Sequence, residues 1–522
     1  MSSRRKKNYL KGAAILAFGG IVAKFLGMFL KIPLVRILGD FGMGLYGNAY
    51  PVYTFLLAIS TIGLPIAISK MVSERMKLGH YDGAYNVFKV AITTLATIGA
   101  VCTLIMIFGG KIFISIFKWH PDTYYSILGL SFAPLFVCIL SCFKGFFQGM
   151  QIMTPPSISQ IVESITRVVV GLSLAIFLYR AFGKVAFGAA GATFGATAGA
   201  LIASLFLFLC FLSIKPKLKK QIKMQKVKSN ESSKTILKLL IAIAIPITLA
   251  SLVTSAMNLI NSFTVSSRLQ AAGFSVENAT ILWGQLSQRA QTIVSIPLIL
   301  SSSLAASLVP TITESFVVKD LTQIRNKVLL TVKVVFMVSL PCIVGIAVLS
   351  PNIMNLLFGN EDGANMLRVL GLGIMFSMIS TTMQSILQGI GKLNVPVRNL
   401  AFGCVIKLIL NLILISIPFL NIYGAILGTL IADMFVCMLD FTSVKKFISL
   451  RAKGLFLAFL KTLLCACIMG LACFLVKNVF INILGNSITT VLCILVSMIV
   501  YFALILITKT LNIPEVRELI GR

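Results

Sequence analysis

Residues 484–508 read LGNSITTVLCILVSMIVYFALILIT, without one Asp, Glu, Lys or Arg. A helix rises 1.5 Å per residue, so roughly 20 apolar residues cross the ~30 Å hydrocarbon layer of a bilayer. This stretch is long enough to do so. Just before it, residues 454–476 read GLFLAFLKTLLCACIMGLACFLV, where the sole charge, Lys461, lies toward the amino end and is counted with the preceding polar segment. Working outward toward the amino end, further apolar runs bounded by charge, Pro or Gly fall at about 12–36, 46–70, 86–110, 124–147, 156–180, 186–214, 235–262, 281–306, 328–350, 366–390, 396–418 and 421–442. The whole chain of 522 residues is 58% hydrophobic and 12% charged, with a mean hydropathy of +0.98. A soluble domain needs far more polar surface to cover its core. The reading is an all-α polytopic membrane protein of about fourteen transmembrane helices.

The formal charge of +31 would suggest a nucleic-acid partner in a soluble chain. In a membrane protein it points first to the excess of Lys and Arg on the cytoplasmic side. With the amino terminus inside, cytoplasmic segments hold 33 of the 46 Lys and Arg, external segments hold eight, and five lie within spans. This predicts a multi-pass protein of the cell membrane, both termini cytoplasmic, with no nucleic-acid partner. The basic start, Met1 to Lys11, runs into the first span with no evident cleavage site. All eleven cysteines lie in or beside apolar runs and none has CxxC spacing. They read as small hydrophobes of the lipid phase, not as a disulfide framework or a metal site.

An internal repeat organises the chain. Gln148-Gly149 and Gln388-Gly389 lie 240 apart, as do Pro156 and Pro396, Arg167 and Lys407, and Glu74 and Glu314. Gly191-Ala192 and Gly195 match Gly424-Ala425 and Gly428. Each copy holds six helices, an even number, so the copies are expected to be parallel about an axis along the membrane normal. The predicted organisation is an N-lobe over 1–214, a basic cytoplasmic linker over 215–238 and a C-lobe over 239–442. Two extra helices and a tail occupy 443–522. The linker reads as a solvated segment held against anionic headgroups. Two lobes rocking about a shared central site is a carrier design.

A charge near the bilayer centre costs about 2.5–3.5 kcal/mol on insertion scales, so each one is a candidate for function. Within the spans stand five cations, Lys24, Lys31, Arg167, Arg289 and Lys407, against two clear anions, Glu163 and Asp433. Glu163 and Arg167 are four apart and share a helix face. Mutual neutralisation and a cavity-lining role for Arg167 both fit. Lys407 is the repeat mate of Arg167, but Gly403 stands where Glu163 would be, so Lys407 is expected to lack a local partner. Lys31 is placed to snorkel outward. Arg289 lies among Gln285, Gln288 and Gln291. Arg offers a planar fork to phosphate oxygens and Lys a point charge, so the set suits a phosphate or diphosphate group. Gln148, Gln160, Gln384, Gln388, Asn258, Asn261 and Asn411 supply further polarity for hydroxyls, amides or interhelical hydrogen bonds.

Enzymatic readings find little footing. His80 and His120 lie in loops far apart, no Walker-type GxxxxGK[ST] occurs, and Glu361-Asp362 is the sole adjacent acidic pair. No cofactor and no metal are expected, and a membrane-embedded synthase is disfavoured.

The run Ala23-Lys24-Phe25-Leu26-Gly27 with Pro33 and Gly39, then Gly63-Leu64-Pro65-Ile66-Ala67-Ile68-Ser69-Lys70, resembles the first two helices of the SpoVB/YtgP group of polysaccharide biosynthesis proteins. Gly145-Phe146-Phe147-Gln148-Gly149, with Pro156, Ser159-Gln160, Glu163 and Arg167, resembles that group's fourth-to-fifth helix signature. The group is allied to MurJ-type lipid II flippases in the multidrug/oligosaccharidyl-lipid/polysaccharide exporter superfamily. The resemblance covers nearly the whole chain. It implies a V-shaped carrier moving an undecaprenyl-diphosphate-linked precursor, lipid II for peptidoglycan or spore cortex, to the outer leaflet.

It also implies that central-cavity cations hold the diphosphate. Lys24 takes a first-helix position and Arg289 the eighth-helix position. Leu30 stands where a second first-helix arginine is expected, with Lys31 adjacent, and Arg167 is placed to supply the missing charge. The two extra helices would form a groove for the lipid tail. The implied partners are a lipid-linked anionic oligosaccharide and membrane lipids, with coupling to a monovalent cation or to membrane potential. A flippase for another lipid-linked oligosaccharide and a cation-coupled multidrug antiporter are the alternatives. The antiporter would need unpaired carboxylates and usually has twelve helices.

Overall fold

The computed structural model describes residues 3–61, 63–225, 231–449 and 454–508, and every regular element among them is a helix. The chain folds into two compact units, Met1–Gly284 and Gln285–Arg522. The first holds α1 (Ser3–Thr61), α2 (Gly63–Leu78), α3 (Tyr81–Phe117), α4 (Thr123–Ser131), α5 (Ala133–Gly149), α6 (Thr154–Phe182), α7 (Val185–Met224), α8 (Ser233–Ala271) and α9 (Val276–Gly284). The second opens with a π-helical turn over Gln285–Ala290. It continues with α10 (Gln291–Val317), α11 (Leu321–Phe358), α12 (Ala364–Gly371), α13 (Gly373–Gly389), α14 (Asn394–Leu414), α15 (Asn421–Ile448) and α16 (Leu455–Ile507).

Among the described residues, eleven helical stretches are long and apolar enough to cross a membrane, or twelve if α12 and α13, bent by 42°, form one span. Two stretches are too long for a single crossing. Val22–Leu78 has 57 residues and Leu455–Ile507 has 53, roughly 80 Å of helix each at 1.5 Å per residue. Both are broken by a glycine in a conformation closed to side chains, Gly39 at φ 64, ψ −176 and Gly485 at φ 72, ψ 171. Backbone irregularities also recur at the 240-residue interval seen in the sequence. The breaks at Phe132 and Leu372 match, as do the left-handed residues Gly79 and Lys319, and Gln151 and Gly391.

The basic stretch 215–238 is largely helical. Its first ten residues complete α7 and its last six open α8, capped by Ser232, whose Oγ accepts from the Thr235 N–H at 3.2 Å. Leu218 is buried there against the aromatic core of the first unit. The segment is tied down at two further points. The Arg75 guanidinium donates to Glu231, with its Nε at 3.1 Å, and the Asp82 N–H donates to Gln225 Oε1 at 3.0 Å. Lys226, Lys228 and the tail beyond residue 508 lie outside the described residues.

Each unit has its own core. In the first, Phe88, Phe143, Phe146 and Phe211 from α3, α5 and α7 pack ring to ring. In the second, α16 lies along α11, where Leu340, Cys465, Met469, Tyr501 and Ile505 cluster. The Tyr501 hydroxyl donates to the Met337 carbonyl at 2.8 Å. Asn352 Nδ2 donates to Asn486 Oδ1 at 2.6 Å, just beyond the Gly485 break. In lipid, such polar contacts hold helices together where apolar packing alone does not discriminate.

Candidate functional site

In the first unit the charged centre is built on α6. Glu163 and Arg167 stand one turn apart, and Glu163 Oε1 accepts from Arg167 Nη2 at 2.9 Å. The other carboxylate oxygen accepts from Lys144 Nζ of α5 at 3.3 Å. Arg167 Nη1 donates to the Tyr50 hydroxyl at 3.2 Å. Tyr50 in turn stacks on Tyr46, with centroids 5.3 Å apart, and meets Tyr53 edge-on at 5.5 Å. One carboxylate thus answers two cations. The side chains of Lys144, Glu163 and Arg167 keep 17, 17 and 21% of their surface, so the excess positive charge is shielded but reachable. Arg167 Nε is buried with no hydrogen-bond partner among the described residues.

The helix under these charges is held by close approach. A Cβ added at Gly195 of α7 would fall 2.6 Å from the Arg167 carbonyl oxygen, and one at Gly199 would fall 2.6 Å from that of Glu163. Only glycine lets α7 lie this close to the backbone carrying the pair.

Sequence reasoning placed Lys144 among the cytoplasmic charges. The structure instead gives it to the Glu163–Arg167 pair. The available signal was its place in α5, five residues before the helix ends at Gly149. Tyr50 carried no signal, being one of several tyrosines in an apolar run. Lys24 is exposed on α1, and Lys31 and Gln148 are half-buried. Gln160 packs against α1, its Oε1 lying 3.6 and 3.8 Å from where a Cβ would stand at Gly19 and Gly20.

In the second unit Arg289 sits in the π turn and is 2% exposed. A π turn inserts one extra residue per turn and rotates the following side chains, a distortion common at functional positions. The guanidinium donates to Asn360 Oδ1 and lies 5.3 Å from the Phe358 ring centroid. Asn360 Nδ2 donates to Asp362 Oδ2 at 2.9 Å. The short loop carrying both is bounded by the left-handed Gly359 and Gly363. A polar cavity of about 440 Å³ adjoins it, with Gln285, Glu361, Asp362, Arg368 and Tyr423 on its walls. Gln288, also buried, donates from Nε2 to Ser287 Oγ at 3.1 Å.

Lys407 on α14 is buried to 4% exposure. Among the described residues Lys407 forms no ion pair; the charge of Asp433 on α15 acts on it from beyond ion-pair distance, and Ser377 Oγ donates to Asp433 Oδ2 at 2.7 Å. Position 403 is a glycine, and the carboxylate whose charge reaches Lys407 comes from a neighbouring helix, which the reading of one helix face at a time does not reveal. A further carboxylate escaped the sequence reading. Asp440, one heptad beyond Asp433, is fully buried. It accepts from Ser380 Oγ at 2.7 Å, Gln384 Nε2 at 3.0 Å and Asn399 Nδ2 at 2.8 Å. Asn411 is buried against Gly428 of α15, and Gln388 is exposed. Among the described residues no group of three or more His, Cys, Asp or Glu is placed to hold a metal ion.

An apolar cleft of about 430 Å³ lies where α11, α13, α15 and α16 meet, walled by Phe336, Phe376, Met438, Phe441, Phe456 and Phe459.

Comparison with known proteins gives consistent results. A model of the family described as polysaccharide biosynthesis protein matches residues 9–316, and a model of the MatE family matches residues 288–413. The chain is 29% identical to lipid II flippase MurJ of Bacillus subtilis (strain 168) over 478 residues, covering 89% of this chain and 87% of that protein. It is 26% identical to stage V sporulation protein B of the same organism over 522 residues, covering 99% of each. Among solved structures, an inward-facing multidrug resistance MATE family transporter of the MOP superfamily aligns with a TM-score of 0.69 and 18% identity. That alignment covers 82% of this chain and 94% of the other. Lipid II flippase MurJ in an inward closed conformation aligns with a TM-score of 0.65 and 16% identity, covering 95% and 99%.

Proposed function

The chain belongs to the polysaccharide biosynthesis protein family, and from that premise we propose that it is an alternating-access flippase. Its substrate is a polyprenyl-diphosphate-linked cell-wall precursor of the lipid II class, carried to the outer leaflet of the cell membrane. The transporter superfamily to which the family belongs contains carriers, not enzymes. The observation that carries the substrate class is the Lys144–Glu163–Arg167 centre, where one carboxylate faces two cations in a shielded, reachable place. A diphosphate supplies the missing negative charge, and the partly exposed Arg167 guanidinium offers it a planar donor fork. Lys24 and Lys31 in the first unit and Arg289 and Lys407 in the second are the further cations we assign to the substrate, with Gln148, Gln160, Gln288, Gln388 and Asn411 for sugar hydroxyls and amides. The glycine breaks at 39 and 485 raise the twelve candidate spans to fourteen crossings. Two parallel six-helix repeats plus a carboxy-terminal pair then form the carrier, with both termini in the cytoplasm. The apolar cleft beside α16 suits the polyprenyl tail.

Purified protein reconstituted into liposomes should move fluorescent lipid II between leaflets, and Arg167→Ala and Arg289→Ala should each slow it at least tenfold. Full rates in both variants would remove the assigned site. Competition by other polyprenyl-diphosphate sugars decides how narrow the substrate range is. The MatE match over 288–413 supports a second reading, a cation-coupled drug antiporter. Ethidium efflux driven by an ion gradient, with no movement of lipid II, would establish that one.

A further inference from the structure

Away from the charged centre, the first unit has a cleft of about 390 Å³ between the amino-terminal ends of α3 and α8. Its charges are Lys89 and Lys234, joined by the hydroxyls of Thr93 and Ser233, and its apolar floor is Val90 and Leu237. No carboxylate lines it. Of the acidic groups on the neighbouring elements, Glu231 holds Arg75, Asp82 Oδ1 accepts from the Gly83 N–H at 2.7 Å, and Glu74 of α2 does not line the cleft. Among the described residues neither Lys89 nor Lys234 forms an ion pair. Lys89 is oriented by a cation–π contact, its Nζ 4.7 Å from the Tyr85 ring centroid.

The surroundings identify what this pair of ammonium groups would bind. At helical spacing, the Lys234–Leu237 face of α8 continues through Ile241, 43% exposed, and Ile245, 51% exposed. The Val90–Thr94 face of α3 continues through Val101, Leu104 and Phe108, which are 49, 51 and 73% exposed. The cleft is therefore the charged head of two lipid-facing apolar stripes. From Leu237 to Ile245 and on to the exposed Leu249, α8 rises about 18 Å, close to the depth of one leaflet. A soluble phosphate has no use for such stripes, whereas a phospholipid fits both parts.

We propose that this cleft binds an anionic diacyl phospholipid, its phosphate between Lys89 and Lys234 and its acyl chains along the α3 and α8 stripes. The lipid pins the start of α8 to α3 next to the Arg75–Glu231 contact, so it acts as a structural ligand of the first unit. This site is independent of the transported substrate.

The test uses the full-length protein released from nanodiscs into native mass spectrometry, with phosphatidylglycerol or phosphatidylcholine as the lipid. One phosphatidylglycerol per chain should survive release, and phosphatidylcholine should not. K89Q/K234Q should weaken retention about twenty-fivefold, from two ammonium groups each worth about a factor of five at an anionic headgroup. K89R/K234R should retain the lipid. K219Q/K220Q removes two exposed lysines of the same basic face outside the cleft and should leave retention within twofold. Equal loss in the two Gln pairs would mean diffuse attraction and overturn the site. So would equal retention of phosphatidylcholine, displacement by millimolar inorganic phosphate, or stoichiometric displacement by lipid II, the last reassigning the cleft to the substrate.

Discussion

Replacing Glu163 by Gln removes one carboxylate from between two cations and leaves the shape of the side chain almost unchanged. In the wild type each oxygen serves a different partner, Arg167 at 2.9 Å and Lys144 at 3.3 Å. Breaking a buried ion pair from one side costs about 3–5 kcal/mol, because a charge is left uncompensated. Here about a sixth of each side chain stays exposed, so the low end applies, ~3 kcal/mol. Lys144→Met removes the outer cation and leaves a neutral Glu163–Arg167 pair, so its cost should stay under ~1 kcal/mol. The double variant then strands one cation instead of two and should recover roughly half of the loss, a coupling well within the usual 0.5–3 kcal/mol. For a unit of this size ~3 kcal/mol corresponds to roughly 6 °C in melting temperature. The eleven free cysteines, most of them buried, allow a thiol-reactive dye to report unfolding in detergent. If Glu163→Gln melts within 1 °C of wild type, or if the two substitutions simply add, Glu163 is not the shared counter-ion.

Three further outcomes follow from particular contacts. Gly199→Val places a side chain against the Glu163 backbone, so it should lower stability by about 1–3 kcal/mol through overpacking, while Gly345→Ala, at an open position of α11 with ordinary backbone angles, should change flipping little; thermal melts and liposome assays separate the two. Asn360→Ala removes an acceptor from the buried Arg289 guanidinium, a bond of about 1.5–3 kcal/mol, and should slow lipid II movement about tenfold while lowering the melting temperature by roughly 3–6 °C. Asp440→Leu strands the donors of Ser380, Gln384 and Asn399 and should cost ~3 kcal/mol, whereas Asp440→Asn keeps an acceptor and should cost about half as much; the same thiol-dye melt reads both.

The all-α, multi-span character was legible because the bilayer sets it: roughly 20 apolar residues between charges is a strong signal. Helix lengths were not, since α3, α7 and α8 run on to 37, 40 and 39 residues. The repeat was legible too, since Gln148-Gly149 and Gln388-Gly389 announce turns whose next residues, Gln151 and Gly391, both adopt left-handed backbone. Other features depend on three-dimensional proximity between helices. Lys144 looked like a charge near a helix end, and only the packing of α5 on α6 turns it inward to Glu163. The charge of Asp433 reaches Lys407 from another helix, which the reading of either helix alone does not show. The π turn at Arg289 changes which residues share a face, and no local sequence rule announces it. The basic stretch after residue 215 looked like a linker because of its charge, yet lysines are good helix formers and Leu218 finds a core to bury in.

The two repeats solve one electrostatic problem in different ways, and the difference bears on function. At the repeat-matched positions Arg167 and Lys407 each sit in apolar surroundings and each needs a carboxylate. In the second unit the charge of Asp433 reaches Lys407 without an ion-pair contact, and Asp433 accepts from the Ser377 hydroxyl at 2.7 Å. These two charges balance one for one, and Lys407 is left 4% exposed. In the first unit Glu163 comes from the same helix as its arginine and is shared with Lys144, so a unit of positive charge is left over beside Tyr50. Had both sites been built only to let their helices insert, a one-to-one balance would have sufficed in each. The surplus in the first unit is what a transiently bound anion would complete, and Lys407→Met should accordingly disturb substrate movement less than Arg167→Met. Equal losses from both substitutions, at equal stability, would show that the surplus has no part in binding.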